Sequence, residues 1–553
     1  MRRLSPVVLL LGALSFLGLA LPALAAPAYD ERVDLGMMTR IRAEGLQRSQ
    51  VMDTLFHLTD VIGPRLTGSP AAREANEWTR RQLEQWGLAN AHLEAFPFGR
   101  GWSFRHAYVR LVAPREAPIL AVPEAWTPGT HGTVRGPVMK VKIESEKDFD
   151  QYKGKLAGKV LLLDEPYENK DPEGGDVKRY SAAELEQLAQ YEAPRDRGDF
   201  RPRAVKRRQL ARALAAFLTA EKALATVAVS PRPDPVVRVS SRGSWERAGA
   251  DDKPGVPGLV MASGAYDSLV RLLADGRPVE LELDVDARFH DDAAEAYNTV
   301  AEIPGADRRA GLVMAGAHLD SWHAGTGATD NAVGCAVVME AARILQAVGA
   351  KPRRTIRVAL WTGEEQGLLG SRFYVKEHFA SRPESTDPAQ KALPEGLREE
   401  TWPLTLKPEA GELAAYFNID NGGGKIRGIY GQSNAAVQPI FEAWLQPFHD
   451  LGADTVTLRD TGSTDHVSFD RAGLPGFQFI QDELDYLPWT HHSNIDVYDR
   501  VRAKDVQQAA VVFAAFLYDA AMRPEPLPRK PLPTPRPRRE KKGEPDAKEP
   551  GAP

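Results

Sequence analysis

Cysteine is all but missing. Cys335 is the only one in 553 residues, so no intrachain disulfide can form. It falls on a helix-like segment, where it reads as a small buried apolar residue rather than a nucleophile. A surplus of positive charge is missing too. The formal net charge is -5 with 26% charged residues, a soluble globular composition. A nucleic-acid partner would want a concentrated basic surface, and none is expected here. Long apolar runs are absent beyond the first 25 residues, so no later segment reads as a membrane span. No internal repeat is visible. What remains is a globular chain long enough for more than one domain.

The start is the exception. Met1-Arg2-Arg3 leads into an almost wholly apolar stretch, 4–21, and Ala23-Leu24-Ala25 is a small-residue cleavage pattern. Residues 1–25 therefore read as a signal peptide, and the chain as exported, periplasmic or secreted, with no membrane attachment after cleavage. A large core lets such a protein do without disulfides. At the other end, 523–553 is mostly Pro, Arg, Lys and Glu, and is predicted to be disordered.

Chemistry concentrates in 311–365. Leu312-Val313-Met314-Ala315 leads into His318 and Asp320, and Ile356-Arg357-Val358-Ala359-Leu360-Trp361 leads into Glu364 and Glu365. Between them lies Asp330, then a helical pattern over 332–348. The order is strand, polar loop, helix, strand, polar loop. In a parallel α/β sheet, such loops gather at the carboxyl ends of the strands. A His, an Asp and two Glu are thereby brought to one edge, and these are donor types that Zn²⁺ accepts. Further on, a strand-like run ends in Asn418-Ile419-Asp420, and Thr490-His491-His492-Ser493-Asn494-Ile495-Asp496 adds imidazoles.

Read in order, H-x-D, Asp-Asn, Glu-Glu, Asn-x-Asp and His-Ser-x-x-Asp resemble the co-catalytic di-zinc exopeptidases, the aminopeptidase and glutamate carboxypeptidase family. The likeness is greatest to the plasma glutamate carboxypeptidase type, in His318-Leu319-Asp320-Ser321-Trp322, Leu360-Trp361-Thr362 and Glu364-Glu365-Gln366-Gly367. The resemblance implies a zinc exopeptidase fold: α/β, with a mixed, largely parallel sheet flanked by helices. It also implies an inserted β-rich protease-associated domain. On this division, 27–116 and 291–522 form the peptidase domain and 117–290 the insert. A charged helical interruption over about 166–222 reads as a solvated face.

The resemblance further implies two Zn ions. Asp330 would bridge them, His318 and Asp420 would complete one site, and Glu365 and His492 the other. Glu364 would be the general base, its side chain facing away from that of Glu365 at a strand end. Asp320 would accept from the second ring nitrogen of His318. His492, rather than His491, fits the motif. A cis peptide is expected after Asp330. His466 and Tyr486 are candidate substrate contacts. The implied activity is hydrolysis at the N-terminus of peptides or in dipeptides. A carboxypeptidase for acidic C-terminal residues is the alternative, and a receptor-like or cyclising relative a remoter one. The partner is then a peptide or dipeptide, with homodimerisation left open. After Asp330 the sequence Asn331-Ala332-Val333-Gly334 departs from the nearest relatives' pattern and leaves aminopeptidase and dipeptidase undecided.

Overall fold

The computed structural model describes residues 31–168, 177–193, 201–239, 255–291 and 294–535. The expected signal peptide and residues 536–553 lie outside them. Eight strands form the sheet that bears the site. They are β1 (Ala89–Pro97), β2 (Glu295–Ile303), β3 (Leu312–His318), β4 (Thr355–Trp361), β5 (Leu413–Asn418), β6 (Ile426–Tyr430), β7 (Thr455–Thr457) and β8 (Gly476–Gln481). Their spatial order is β1-β2-β4-β3-β5-β8-β6-β7. The central pairs β4-β3, β3-β5 and β5-β8 are parallel, and β1-β2, β2-β4 and β6-β8 antiparallel. The sheet is mixed and largely parallel, as the sequence implies.

Strands β3 and β5 are buried at every position. Continuous apolar runs are what central strands covered on both faces require. Gly316 in β3 is fixed by close approach: a Cβ there would lie 2.4 Å from Tyr416 Oη and 2.6 Å from Trp361 Nε1. Those two atoms are hydrogen-bonded across the sheet at 2.7 Å.

The flanking helices include α1 (Leu35–Gln47), α2 (Pro70–Gln85), α3 (Val333–Ala347), α4 (Leu369–His378) and α5 (Ala503–Met522). Helices α3 and α5 are buried along most of their length within the main core. Ser69 caps α2, accepting from Ala72 N, with Pro70 at the first position. The helix predicted over 435–451 is divided. A 3-10 turn (Ala435–Val437), an α-helix (Gln438–Leu445) and a second 3-10 segment (Gln446–Leu451) share its length. Pro447 lacks the N–H that a continuous helix would need there. The apolar positions Phe441, Trp444, Leu445 and Phe448 are buried all the same.

A second eight-stranded sheet has its own core. Strand Gly101–Ala113 pairs along Glu280–His290 within it, so this sheet begins before the boundary at 117 drawn from sequence. Alternating residues such as Trp102, Phe104 and His106 suit an edge of either sheet, and only pairing decides between them.

Part of the charged interruption differs from expectation. Residues 177–193 clasp the first sheet's unit instead of standing in solvent, whereas in the helix Arg201–Ala220 only Ala204, Arg208, Ala215 and Leu218 are buried. Arg179 donates to Asp482 Oδ2 at 3.0 Å and to Asp505 Oδ2 at 2.7 Å. Lys178 and Leu484 exchange backbone bonds at 3.0 and 2.7 Å, and Thr457 Oγ1 donates to Leu188 O at 2.6 Å. The clasp is made by backbone atoms and by acids far along the chain, which composition does not reveal.

Residues 523–535 correct the prediction of disorder. Leu527 is buried, and Arg529 donates to Ala410 O and Leu413 O, each at 2.6 Å. Asn434 donates to Pro528 O at 2.7 Å, and Lys530 pairs with Asp470 at 2.6 Å. The contacts run both ways: Arg529 and Lys530 donate from the segment, and Asn434 donates to its backbone.

One edge contact predicts a pH dependence. Glu94 of β1 lies 3.3 Å from His92 and 3.2 Å from His378 of α4, whose other nitrogen is 3.2 Å from Glu409. Burial opposes the charge on Glu94, but hydrogen bonds from His378 and His92 outweigh it and hold the carboxyl down at about 2, against an ordinary 4.5. Hydrogen bonding to Glu94 raises both imidazoles above 6.5. The depressed carboxylate stabilises fully above 4.5, and that contribution is lost as pH falls through about 2. The raised imidazoles stabilise fully below 6.5, and lose this as pH rises through their folded values. The cluster therefore contributes most between these limits. Glu94→Gln is expected to lower Tm by a few degrees at about pH 5.5 and by much less at about pH 8.5. An equal shift at both pH values would refute this origin.

Candidate metal centre

The polar residues meet at the carboxyl ends of β3, β4 and β5. His318 is the last residue of β3, and Asp420 follows β5 by two residues. Glu364 and Glu365 lie in a turn after β4, not on the strand itself. Gly363 makes that turn at φ 79°. The turn, rather than strand alternation, therefore separates the two glutamates. Asp330 sits in the kinked segment Ala328–Ala332 just before α3, and the Asp330–Asn331 peptide is cis. His492 follows the turn Tyr486–Thr490.

Asp330 stands between two groups. Its Oδ1 is 3.4 Å from His318 Nε2, which is also 3.4 Å from Asp420 Oδ1. Its Oδ2 is 3.3 Å from His492 Nε2, which is 3.0 Å from Glu365 Oε2. His491 Nε2 is further from that oxygen, at 3.9 Å. The structure thus brings all five expected donors together in the expected grouping, with Asp330 common to both.

An outer set of bonds fixes these side chains. Asp320 faces His318 with two of its oxygens. The acceptor for His318 Nδ1 is the Asp320 backbone carbonyl, at 3.0 Å, whereas its carboxylate oxygen is 3.5 Å away. The carboxylate accepts from Thr67 Oγ1 at 2.8 Å and from the backbone N–H groups of Glu364 and Glu365 at 3.3 and 3.4 Å. It positions the glutamate turn. Asp496 holds the Asp330 segment, accepting from Thr329 N at 2.7 Å and Asp330 N at 3.1 Å. Asn331 explains the departure noted in the sequence. Its Nδ2 donates to Ile419 O at 2.9 Å, beside Asp420, and its Oδ1 accepts from Gly334 N at the start of α3.

Sequence reasoning missed four residues. Arg65 and Thr67 come from the turn Gly63-Pro64-Arg65-Leu66-Thr67-Gly68, read as a packing loop. Arg65 is wholly buried and donates to five carbonyls, those of Leu58, Gly63, Leu319, Thr326 and Gly327. Asp465 is wholly buried with neither oxygen hydrogen-bonded, and burial raises it to about 7. Arg238, from the second sheet's unit, places Nη2 3.2 Å from His491 Nδ1 and 3.5 Å from His492 Nδ1. The Gly-Pro-Arg-Leu-Thr-Gly-Ser run could have flagged the first two, and Asp465-His466 the third. Nothing in the sequence marks Arg238.

The two candidate substrate residues are placed differently. Tyr486 sets its ring edge-on to His491, with centroids 5.1 Å apart. His466 is wholly buried, its Nε2 3.2 Å from Thr461 O.

Charge balance argues for a cation. Asp320, Asp330, Glu364, Glu365, Asp420 and Asp465 crowd around His318 and His492. Burial raises Glu364 and Glu365 well above 4.5, and neighbouring carboxylates add to this. Burial holds His491 and His492 at about 4, hence neutral, the form in which imidazole binds a metal. Asp330 Oδ2, Glu365 Oε1 and Asp420 Oδ1 are buried without a hydrogen-bond partner. Such orphaned anionic oxygens are costly unless a cation meets them. Donor atoms of His318, Asp330 and Glu365 lie within 4.8 Å of one another, as do those of Asp330, His491 and His492. The residues present therefore fit a divalent metal of the zinc type.

A donor set of carboxylates and imidazoles at the end of a largely parallel sheet, with a further glutamate beside it, defines a metal-dependent hydrolase. Residues 298–517 match Peptidase family M28, which makes this part of the chain an M28 peptidase domain. Along nearly its whole length the chain is similar to Carboxypeptidase Q of Bos taurus, at 26% identity over 486 residues, 88% of each chain. A solved structure of a Peptidase M28 precursor from Shewanella amazonensis shares the fold at 22% identity. It covers 90% of this chain and 99% of its own, with a TM-score of 0.62. BSAP, a zinc aminopeptidase from Bacillus subtilis, does so at 20% identity, 86% of this chain and 94% of its own, with a TM-score of 0.53.

Proposed function

We propose that this M28 peptidase is an exported exopeptidase that uses two zinc ions to remove N-terminal residues or split dipeptides. The observation that carries the reading is Asp330, whose two oxygens each face a separate imidazole and carboxylate. His318 and Asp420 would hold one ion with it, and Glu365 and His492 the other. When bound, the ions would polarise the scissile carbonyl as Lewis acids and lower the pKa of a water.

The chain's own residues supply the rest. Glu364 takes a proton from the attacking water and passes it to the leaving amine. Burial raises its pKa, which strengthens it as a proton acceptor. Asp320 keeps the base in place through the N–H groups of Glu364 and Glu365. The Asp320 carbonyl holds the proton of His318 on Nδ1, which leaves Nε2 free for a metal. Tyr486 borders the cleft on the His491 side. The second sheet is assigned to a protease-associated type of domain that shapes access.

Three matched substrates test the reading: a free dipeptide, its C-terminally blocked form and its N-acetylated form, each with and without a chelator. Cleavage of the C-blocked but not the N-acetylated substrate means aminopeptidase. Cleavage of the free dipeptide alone means dipeptidase. The chelator is expected to abolish either activity, with recovery on adding zinc. Cleavage confined to the N-acetylated substrate would replace this reading with a carboxypeptidase, and no cleavage with zinc bound would end it.

A further inference from the structure

Two arginines from the second sheet's unit stand beside the metal centre with their charge unanswered. Arg238 and Arg232 lie on the segment 230–239, which is stitched to the loop that carries the histidines. Val239 N donates to His492 O at 3.0 Å, Asn494 N to Val237 O at 3.0 Å and Val237 N to Asn494 Oδ1 at 2.7 Å. Arg238 N donates to Ser230 Oγ at 3.1 Å. The segment is thus held in place by backbone bonds on both sides of Arg238. Arg232 Nη2 donates to Leu487 O, next to Tyr486.

Neither guanidinium has a carboxylate partner among the described residues. Both Nε atoms are buried and lack any hydrogen-bond partner. The two cations are close enough to act on each other: burial and then the charge of Arg238 lower the pKa of Arg232. Like charges placed together beside a desolvated site are unfavourable by themselves, and an anion between them relieves the repulsion.

The imidazole contacts of Arg238 sharpen the point. Its Nη2 faces Nδ1 of both His491 and His492. With a metal on Nε2 of His492, the ring proton resides on Nδ1, and that nitrogen becomes a donor. Arg238 then keeps only His491 as an acceptor, and its guanidinium has donors to spare for an oxygen anion.

We propose that Arg238 and Arg232 form a carboxylate-recognition pocket that seats a substrate carboxylate next to the scissile bond. This rests on the exopeptidase reading and deepens it. The carboxylate is either the free C-terminus of a dipeptide or an acidic side chain. Arg238 grips it through its planar fork, and Arg232 adds charge from the Tyr486–Leu487 side.

The test compares zinc-loaded wild type, Arg238→Met, Arg232→Met and Arg238→Lys on Ala-Ala, Ala-Ala-amide, Ala-Gln-amide and Ala-Glu-amide. Calorimetric titration of the same compounds into zinc-loaded Glu364→Gln protein, with and without Arg238→Met, gives a readout independent of turnover. Wild type is expected to favour Ala-Ala over its amide by about 10-fold or more in kcat/KM, the scale of a charge-assisted contact. Arg238→Met is expected to bring the ratio within about 3-fold, and Arg238→Lys to restore part of it. A preference for Ala-Glu-amide over Ala-Gln-amide that vanishes in the same variants would assign the pocket to a side-chain carboxylate.

If wild type shows neither preference, or the variants keep the wild-type ratios, the pocket is refuted while the exopeptidase reading stands. If nothing is cleaved, that reading fails. The titrations then decide the pocket alone, and equal affinity for acid and amide overturns it. Should Arg238→Met not fold, Arg232→Met and Arg238→Lys carry the same comparison.

Discussion

Glu364→Gln is expected to lower kcat by about 10²–10⁴-fold, the usual contribution of a general base, while zinc content stays at the wild-type level. The replacement keeps the shape of the side chain and the backbone N–H that donates to Asp320. It removes only the ability to take and return a proton. Glu365→Gln is the contrast. Glu365 Oε2 is 3.0 Å from His492 Nε2 and its other oxygen is orphaned, so weakening it should release metal as well as activity. Kinetics together with metal analysis by atomic emission separate the two. Near wild-type turnover in Glu364→Gln would remove it from the chemistry, and zinc loss there would make it a ligand.

Arg65→Met is expected to destabilise the fold by about 4–5 kcal/mol. Five carbonyls accept from the Arg65 guanidinium, at 2.8 to 3.0 Å. Methionine fills much of the space and satisfies none of them. A buried acceptor left alone costs roughly 1–3 kcal/mol, and relief from burying a cation offsets part of the sum. The net is a large share of a typical stability of about 5–15 kcal/mol. Thermal unfolding should show a fall in Tm on the order of 10 °C, with poor soluble yield. The loss should also reach the metals. Leu319, Thr326 and Gly327 belong to the chain between His318 and Asp330, so slackening them blurs the spacing of two donors. Arg65→Lys keeps the charge but not the planar fork, and is expected to fall between. A shift in Tm below about 2 °C would sink the argument.

Three of the candidate donors, His318, Glu365 and Asp420, were legible because they end or follow recognisable apolar runs. His318 and Asp420 follow strands that are buried on both faces, and such runs are hard to mistake. Helices over 333–347 and 503–522 were legible for the same reason. What escaped is what binds through backbone atoms or across long separations. Arg65 acts on carbonyls, which have no sequence signature. Arg238 lies about 250 residues before His492 and on the other sheet's unit. Arg179 reaches acids at 482 and 505 from a stretch whose composition reads as solvated. The clinging of 523–535 was hidden too, because it runs through hydrogen bonds to distant backbone and side-chain groups rather than through apolar faces of its own. Asp320 is an intermediate case: its place at the site was readable, but not which of its oxygens meets His318.

Strand pairing has a consequence for the time course of synthesis. β1 pairs with β2, and all of the second sheet is threaded between them in the chain. Helix α1 belongs to the same core as α5, at the far end of the chain. A ribosome adding about 5–20 residues per second leaves α1 without that partner for on the order of half a minute or more. The second sheet, whose strands all lie within residues 101–290, completes its pairing in that interval. The half that carries the metal donors therefore closes last, around a neighbour already built, and its apolar helices depend meanwhile on whatever in the cell shields newly made chain.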